Sequence, residues 1–157
     1  MLSKCIFSVK APAGPPVEII RHTFSPSQSA KPTQRVSLVT GLHGDELEGL
    51  YICHRLIETL KKLEEQNAVK GEVHIYPAVN PQALETGTRL WPFFSTDINR
   101  TFGEKNARSL VTEASRTLLE DLKSNSDLVV DFHASNLHLM ELPQIRIIKN
   151  FEKKLVP

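Results

Sequence analysis

The chain has 157 residues and a mass of 17.6 kDa, which is enough for one compact domain and too little for two, so we expect a single domain over residues 1–157. Nineteen Lys and Arg residues against eighteen Asp and Glu residues leave a formal charge of +1, which argues against nucleic-acid binding. No apolar run reaches the ~20 residues that span a bilayer, and no signal-peptide core is present, so we expect a soluble, cytoplasmic protein without a membrane partner.

Cysteine usage limits the kind of metal site that the chain can build. Cys5 and Cys53 are far apart and show no CxxC spacing, which argues against a disulfide framework and against a thiolate zinc site. Any metal would therefore be held by His and carboxylate.

The first half of the chain alternates β-rich runs with one helical pattern. Residues 4–9 and 17–24 flank APAGPP and predict a hairpin-like pair. A short strand over residues 36–40 leads into GLHGDE. From Glu46 to about Glu65, apolar residues recur every three or four positions, which predicts an amphipathic helix. Its buried stripe would consist of Leu47, Leu50, Cys53, Leu56, Ile57, Leu60 and Leu63.

The middle of the chain contains a strand, a long loop and a second helix. Residues 72–79 predict a strand that is closed by the turn at Asn80-Pro81. Residues 82–104 are rich in turn formers and predict a long irregular segment. Its aromatic cluster of Trp91, Phe93 and Phe94 is expected to pack the loop onto the core rather than to line a pocket. Residues 106–122 predict an amphipathic helix that buries Ala107, Val111, Ala114, Leu118 and Leu122.

Two further runs complete the predicted elements. Residues 127–133, DLVVDFH, predict a strand buried on both faces, and residues 144–150, QIRIIKN, predict another. Because strands alternate with amphipathic helices, the fold class is α/β, with a mixed, partly parallel sheet flanked by helices.

Three residues with metal-ligand chemistry are predicted to meet at one edge of this sheet. His43 and Glu46 lie three residues apart where a strand gives way to a helix, and His133 ends another predicted strand. Loops at the carboxyl ends of strands are where α/β proteins place their sites, so these side chains are expected to converge. Three such ligands, with a fourth position left for water, are typical of catalytic zinc. The same set also accepts nickel or cobalt.

An ordinary structural role is open for each of these residues. His43 would then be a loop histidine, Glu46 an acidic residue favoured by a helix N-terminus, and His133 a hydrogen-bonded core histidine. Their combination, with glycines on both sides of His43 in GLHGDE, favours the metal site.

The sequence DINR, residues 97–100, forms a second group. The planar guanidinium of Arg100 is suited to bind a carboxylate in two places, and Asn99 adds an amide donor. Asp97 is the right type to accept a hydrogen bond from a metal-bound imidazole, although an Asx turn or a helix cap is the local alternative. Arg89 is able to polarise a scissile carbonyl or stabilise an oxyanion, or it is a surface arginine.

Five motifs occur in order between about residues 35 and 140: GLHGDE, Asn80-Pro81, Arg89, DINR and DFH. With them the chain resembles the succinylglutamate desuccinylase/aspartoacylase branch of the zinc carboxypeptidase superfamily. The resemblance implies a zinc carboxypeptidase-like fold and hydrolysis of the amide that joins an acyl group to an amino acid, or of a C-terminal peptide bond in the peptidase relatives. Small N-acyl amino acids or short peptides would be the substrates.

The resemblance also implies how a metal is held. His43, Glu46 and His133 would hold one zinc ion per chain, and Asp97 would support His43. Zinc lowers the pKa of its water towards ~7 and polarises the substrate carbonyl.

The substrate and proton-transfer roles follow from the same resemblance. Arg89 would bind or polarise the substrate carbonyl, and Asn99 and Arg100 would hold a substrate carboxylate. In the family, a glutamate on a later strand is the general base, and the equivalent segment is absent here, so we expect the chain to be the amino-terminal part of a longer enzyme. Within the chain, Glu141 is the nearest downstream candidate base, and Glu152 lies in a charged C-terminal stretch. General acid–base help is worth ~10²–10⁴ in rate, so this chain alone is expected to bind metal and to be nearly inactive.

Three other functions stay open. The first is a metallocarboxypeptidase that acts on short peptides, the second is a metal-binding module without catalysis, and the third is an α/β domain with structural histidines. No pattern in the sequence indicates the oligomeric state.

Overall fold

A five-stranded mixed sheet forms the centre of the molecule in the computed structural model, which describes residues 1–10, 14–26, 34–104 and 108–147. The strands lie in the order β1-β2-β4-β3-β5. The first two pairings are antiparallel, and β3 is parallel to both β4 and β5, which confirms the mixed, partly parallel sheet. In chain order the elements are β1 (Leu2–Val9), β2 (Val17–Phe24), β3 (Arg35–Val39), α1 (Glu48–Glu65), β4 (Glu72–Tyr76), α2 (Pro81–Thr86), a 3-10 helix (Ile98–Arg100), α3 (Leu110–Asn125) and β5 (Leu128–Asp131).

The two long helices cover opposite faces of the sheet. One apolar cluster includes Val39, Tyr76 and Leu118 and lies on the α3 side. The other includes Ile75 and Cys53 and lies on the α1 side. Because neighbouring side chains of a strand point to opposite faces, β4 supplies Ile75 to one cluster and Tyr76 to the other. None of the helices in the described ranges is long and apolar enough to cross a membrane.

Helix α1 confirms the predicted amphipathic pattern but begins two residues later than expected. Leu47 precedes its first turn and is 42% exposed, so its place in the buried stripe was wrong. Cys53 is fully buried at the centre of the stripe, as predicted. The later start leaves Glu46 in the loop between β3 and the helix.

Helix α3 begins at Leu110 rather than at residue 106, and residues 105–107 lie outside the described part of the chain. A capping box explains the start: the side-chain oxygens of Ser109 and Thr112 each accept a hydrogen bond from the other residue's backbone amide, which satisfies free amide groups of the first turn. Val111, Ala114 and Leu118 are buried as predicted.

Strand β4 ends at Tyr76, three residues before the predicted end, because Pro77 has no amide hydrogen to continue the ladder. Strand β5 ends at Asp131 rather than at His133. It was expected to be buried on both faces, and this was wrong: among the described residues β5 pairs only with β3 and forms an edge, where Val129 is 44% exposed.

The segment 82–104 is more ordered than its composition predicted. It contains most of α2 and the 3-10 helix. Asn80, predicted as a turn residue, caps α2 by accepting a hydrogen bond from the Ala83 amide, and Pro81 occupies the first helical position.

The aromatic cluster divides, because Trp91 is fully buried as expected whereas Phe93 and Phe94 are exposed. The strand predicted over residues 144–150 was wrong where it is described, since residues 144–147 are exposed and unpaired; residues 148–150 lie outside the described ranges.

Candidate metal centre

The loops that follow β3 and β5 bring two histidines and a glutamate together. Strand β3 ends at Val39, and the next loop carries His43 and Glu46; β5 ends at Asp131, and His133 follows two residues later. Because β3 and β5 are parallel neighbours, their carboxyl ends meet at the same edge of the sheet. The three side chains therefore come together at the edge of the sheet where the sequence predicted, although His133 lies beyond its strand.

The Glu46 carboxylate lies between the two imidazoles. His43 Nδ1 is 2.8 Å from Glu46 Oε1, and His133 Nδ1 is 2.8 Å from Glu46 Oε2. One ligand atom from each of the three residues lies within 4.8 Å of the others. Two imidazole nitrogens and a carboxylate oxygen at this spacing match the donor set of catalytic zinc. The residues present therefore fit the metal that the sequence predicted.

The far nitrogen of each ring is also held by a carboxylate. His43 Nε2 lies 3.0 Å from Asp97 Oδ1, and His133 Nε2 lies 2.9 Å from Asp131 Oδ2. An ionised carboxylate only accepts, so each Nε2 donates its hydrogen. This arrangement turns both Nδ1 atoms towards Glu46 and suits them to bind a metal.

Glu46 is kept ionised by its surroundings. Burial by itself raises the pKa of this carboxyl, but the Ala134 amide, at 2.9 Å from Oε2, and the two imidazoles outweigh burial and lower the pKa. An ionised carboxylate is the form that binds a cation.

Asp97 forms both kinds of contact that the sequence left open. Its Oδ1 accepts the Asn99 amide at 2.9 Å and so caps the 3-10 helix, and the same oxygen accepts from His43. Burial raises the pKa of Asp97, but His43, the Asn99 amide and the Arg89 charge lower it overall.

His133 is held less firmly than His43. The His133 side chain is 34% exposed, against 1% for His43. The hydrogen bond to Asp131 raises the pKa of His133 to about 9; burial opposes this shift, and Glu46 adds to it.

Two glycines allow the loop to approach its neighbours closely. A Cβ on Gly44 would lie 1.9 Å from the Ala83 carbonyl oxygen, and the Gly44 amide donates to the Thr88 carbonyl at 2.9 Å. A Cβ on Gly49, in the first turn of α1, would lie 2.4 Å from Thr40 Oγ1. These contacts fix the loop that carries His43 and Glu46 against α2 and β3.

The family model of the succinylglutamate desuccinylase/aspartoacylase catalytic domain matches residues 32–153. The chain belongs to this family. The matched region contains all the site residues described above, and it begins just before β3, the first strand that carries a part of the site.

Two individual members of the family are similar to the chain in sequence. The chain is 30% identical over 106 residues to the N-α-acetyl-L-2,4-diaminobutyric acid deacetylase of Halomonas elongata, covering 68% of this chain and 30% of the relative. It is 33% identical over 94 residues to the aspartoacylase of Danio rerio, covering 60% of this chain and 27% of the relative. The chain thus spans less than a third of the length of either curated relative.

A solved structure supports the fold. The crystal structure of a succinylglutamate desuccinylase/aspartoacylase from Rhodobacter sphaeroides superposes with a TM-score of 0.65 at 30% identity. The match covers 78% of this chain and 35% of that chain. The α/β fold with its mixed sheet is therefore that of the desuccinylase/aspartoacylase family.

Among the other residues that the sequence singled out in this family member, Arg89 joins the cluster. Its Nη1 donates to Glu46 Oε1 at 3.1 Å, and its Nη2 lies 3.6 Å from Asp97 Oδ2. The Arg89 side chain is 46% exposed, so part of its guanidinium faces solvent.

Asn99 and Arg100 lie beside the cluster without joining it. The Asn99 backbone binds Asp97, and Arg100 Nη1 reaches only the Asn99 carbonyl, at 3.5 Å. Glu141 lies in the exposed segment 136–147 and, within the described ranges, forms no hydrogen bond or ion pair with the cluster. Glu152 lies outside those ranges.

Asp131 is the residue that the sequence analysis missed. The signal was present in DFH: in an extended chain, side chains two residues apart point to the same side, so Asp131 is placed to reach His133. The strand was recognised, but its aspartate was treated as part of the apolar run.

Proposed function

We propose that this chain is the metal-binding part of a zinc-dependent hydrolase that cleaves the amide of N-acyl amino acids. The observation that carries the proposal is the convergence of His43, Glu46 and His133, with each Nε2 bound to a carboxylate. The relatives named above include a deacetylase of an N-acetyl amino acid and an aspartoacylase, which supports this substrate class.

The proposal assigns the three ligands to His43 Nδ1, His133 Nδ1 and a Glu46 oxygen. A zinc ion held there would act as a Lewis acid on the amide carbonyl and would lower the pKa of a bound water molecule. The carboxylate of Asp97 keeps the His43 ring in the orientation that presents Nδ1. Glu46 adds negative charge, which favours a divalent cation over water in the same space.

The substrate would be held by the cationic side of the site. Arg89 lies against Glu46 and Asp97 with part of its guanidinium in solvent, so a substrate carbonyl oxygen that approaches the metal would meet an N–H donor. Arg100 is exposed next to Asn99, and among the described residues its guanidinium contacts only the Asn99 carbonyl, so its other N–H groups are available to a substrate carboxylate.

General-base catalysis is assigned to none of the described residues. Glu141 stays a prediction from the sequence, and its exposed surroundings add no support. The roles proposed for this chain are therefore metal binding and substrate positioning.

The test uses the zinc-loaded chain with N-acetyl and N-succinyl amino acids and with short peptides. Zinc-dependent binding of an N-acyl amino acid, with slow release of its primary amine that a chelator abolishes, would support the proposal. Release of a C-terminal residue from a peptide instead would favour a carboxypeptidase. Stoichiometric zinc without binding of either ligand class would favour a metal-binding module, and absence of zinc binding would overturn the proposal.

A further inference from the structure

Asp131 stands at the last position of β5, at the edge of the sheet. Its Oδ2 lies 2.9 Å from His133 Nε2. Within the described part of the chain, its carboxylate forms no other hydrogen bond or ion pair. The Asp131 carboxylate therefore binds only His133 among the described residues. Removing it would break no other hydrogen bond or ion pair there.

The relation between Asp131 and His133 repeats the relation between Asp97 and His43. In both pairs the carboxylate binds Nε2, and in both pairs Nδ1 faces Glu46. The two ring centroids are 5.0 Å apart and the ring planes are inclined by 44°, so the imidazoles converge on one point from different directions.

The two histidines differ in what else holds them. His43 lies in the loop between β3 and α1, contacts Asp97 at the start of the 3-10 helix, and is almost completely buried. His133 follows an edge strand and has a third of its side chain in solvent. Packing alone would leave the His133 ring free to rotate or flip, which would replace Nδ1 by Nε2 at the shared point.

We propose that Asp131 is the positioning residue for His133: by accepting the Nε2 hydrogen, it fixes the ring so that Nδ1 is the metal-binding atom. This inference rests on the proposed metal site. Carboxylates that orient metal-bound histidines change metal affinity by about 10–100-fold when they are replaced. Because His133 has little packing support, we expect the loss at Asp131 to lie in the upper part of that range.

The experiment compares zinc affinity in the parent chain, Asp131→Ala and Asp131→Asn by competition with a chromophoric chelator. We expect Asp131→Ala to raise the zinc dissociation constant by about 30–100-fold. Asp131→Asn keeps an oxygen acceptor but loses the charge, so its effect should be nearer tenfold. If Asp131→Ala fails to fold, the shape-conserving Asn variant carries the comparison.

Asp127→Asn is the matched control. Asp127 lies directly before β5 and binds Arg35, far from the cluster along the strand. We expect this variant to bind zinc like the parent chain. An equal loss of affinity in Asp127→Asn and Asp131→Asn would show a general effect on the sheet edge and would overturn the inference.

A second readout separates this inference from the proposed function. Long-range ¹⁵N–¹H correlation spectra of the metal-free chain report which nitrogens of His133 carry hydrogen and whether that hydrogen is bonded. We expect a hydrogen-bonded Nε2–H in the parent chain that is lost in Asp131→Ala. An unchanged His133 signal would overturn the role of Asp131, even if zinc binds. Absence of zinc binding with the expected His133 change would overturn the proposed metal site and leave Asp131 as the residue that orients the His133 ring.

Discussion

The two histidines of the candidate centre have the same hydrogen-bonding chemistry but very different support. His43 lies in a buried loop that is fixed by close glycine contacts, and its partner Asp97 also caps a helix. His133 lies beyond an exposed edge strand, and its partner Asp131 contacts little else. The His43 half of the site is therefore part of the packed fold, whereas the His133 half is positioned mainly by the contacts of its ring with Glu46 and Asp131.

The largest expected effect is at the buried half. His43→Ala removes a buried ring that joins Glu46 and Asp97, so each carboxylate loses one of its buried partners. We expect zinc binding to be abolished and the free energy of unfolding to fall by about 3 kcal/mol. Urea denaturation with chelator present measures the second effect, and His54→Ala, at an exposed position of α1, is the control. Unchanged stability would show that the buried half is not part of the fold.

A substitution at the exposed histidine should affect zinc binding much more than stability. His133→Ala is expected to abolish zinc binding while changing the free energy of unfolding by less than about 1 kcal/mol, because the ring is partly in solvent and Glu46 keeps the Ala134 amide and Arg89 as partners. The same denaturation and zinc titrations test it. Equal zinc occupancy in the parent chain and the variant would contradict the ligand assignment.

A smaller effect is expected for the exposed arginine beside the site. Arg100→Ala should leave zinc binding unchanged and weaken the binding of an N-acyl amino acid by about 10–100-fold, since a charge-assisted contact contributes roughly 1.5–3 kcal/mol. Calorimetry on zinc-loaded protein measures this, with Arg55→Ala on α1 as the control. An unchanged dissociation constant would remove Arg100 from the proposed substrate site.

The smallest expected effect is a pH dependence of stability caused by His74, a buried histidine outside the site. Burial lowers the pKa of His74, against the attraction of Glu72; Arg21 adds to the lowering and Asp121 opposes it. The unfolded chain therefore takes up the proton first, so stability that is present at neutral pH should decrease as the pH falls below about 6.5 through the folded-state pKa.

Denaturation of the metal-free chain between pH 7.5 and pH 5 measures this change. His74→Gln should show a flatter profile than the parent chain in this range, whereas His54→Gln, at the exposed position, should follow the parent. A parent profile that is equally steep in His74→Gln would show that other groups cause the acid sensitivity.

The sequence predicted the parts of the fold that depend on regular patterns. The 3.6-residue periods located α1 and α3, and short apolar runs located β1 to β5 but also predicted a strand over residues 144–150 that the described residues do not form. The errors came where other contacts decide: Ser109 and Thr112 set the start of α3, and Pro77 ended β4 early. The edge position of β5 could not be predicted, because the apolar run 127–133 carries no information on how many neighbours the strand has.

For the site, the spacing of His43 and Glu46 and the strand before His133 were enough to predict their convergence. The position of Asp97 in DINR also led to its contact with His43. Arg89 was predicted without its contacts, since a loop arginine has no local pattern that places it. The role of Glu141 was inferred from sequence order alone, and the structure leaves it in the exposed segment 136–147.

The most direct test of the central claim is the zinc stoichiometry of the 157-residue chain, measured by calorimetric titration after removal of all metal. We expect one zinc per chain in the parent and none in His133→Ala, with both proteins folded. No zinc in the parent chain, or the same single zinc in both proteins, would contradict this expectation.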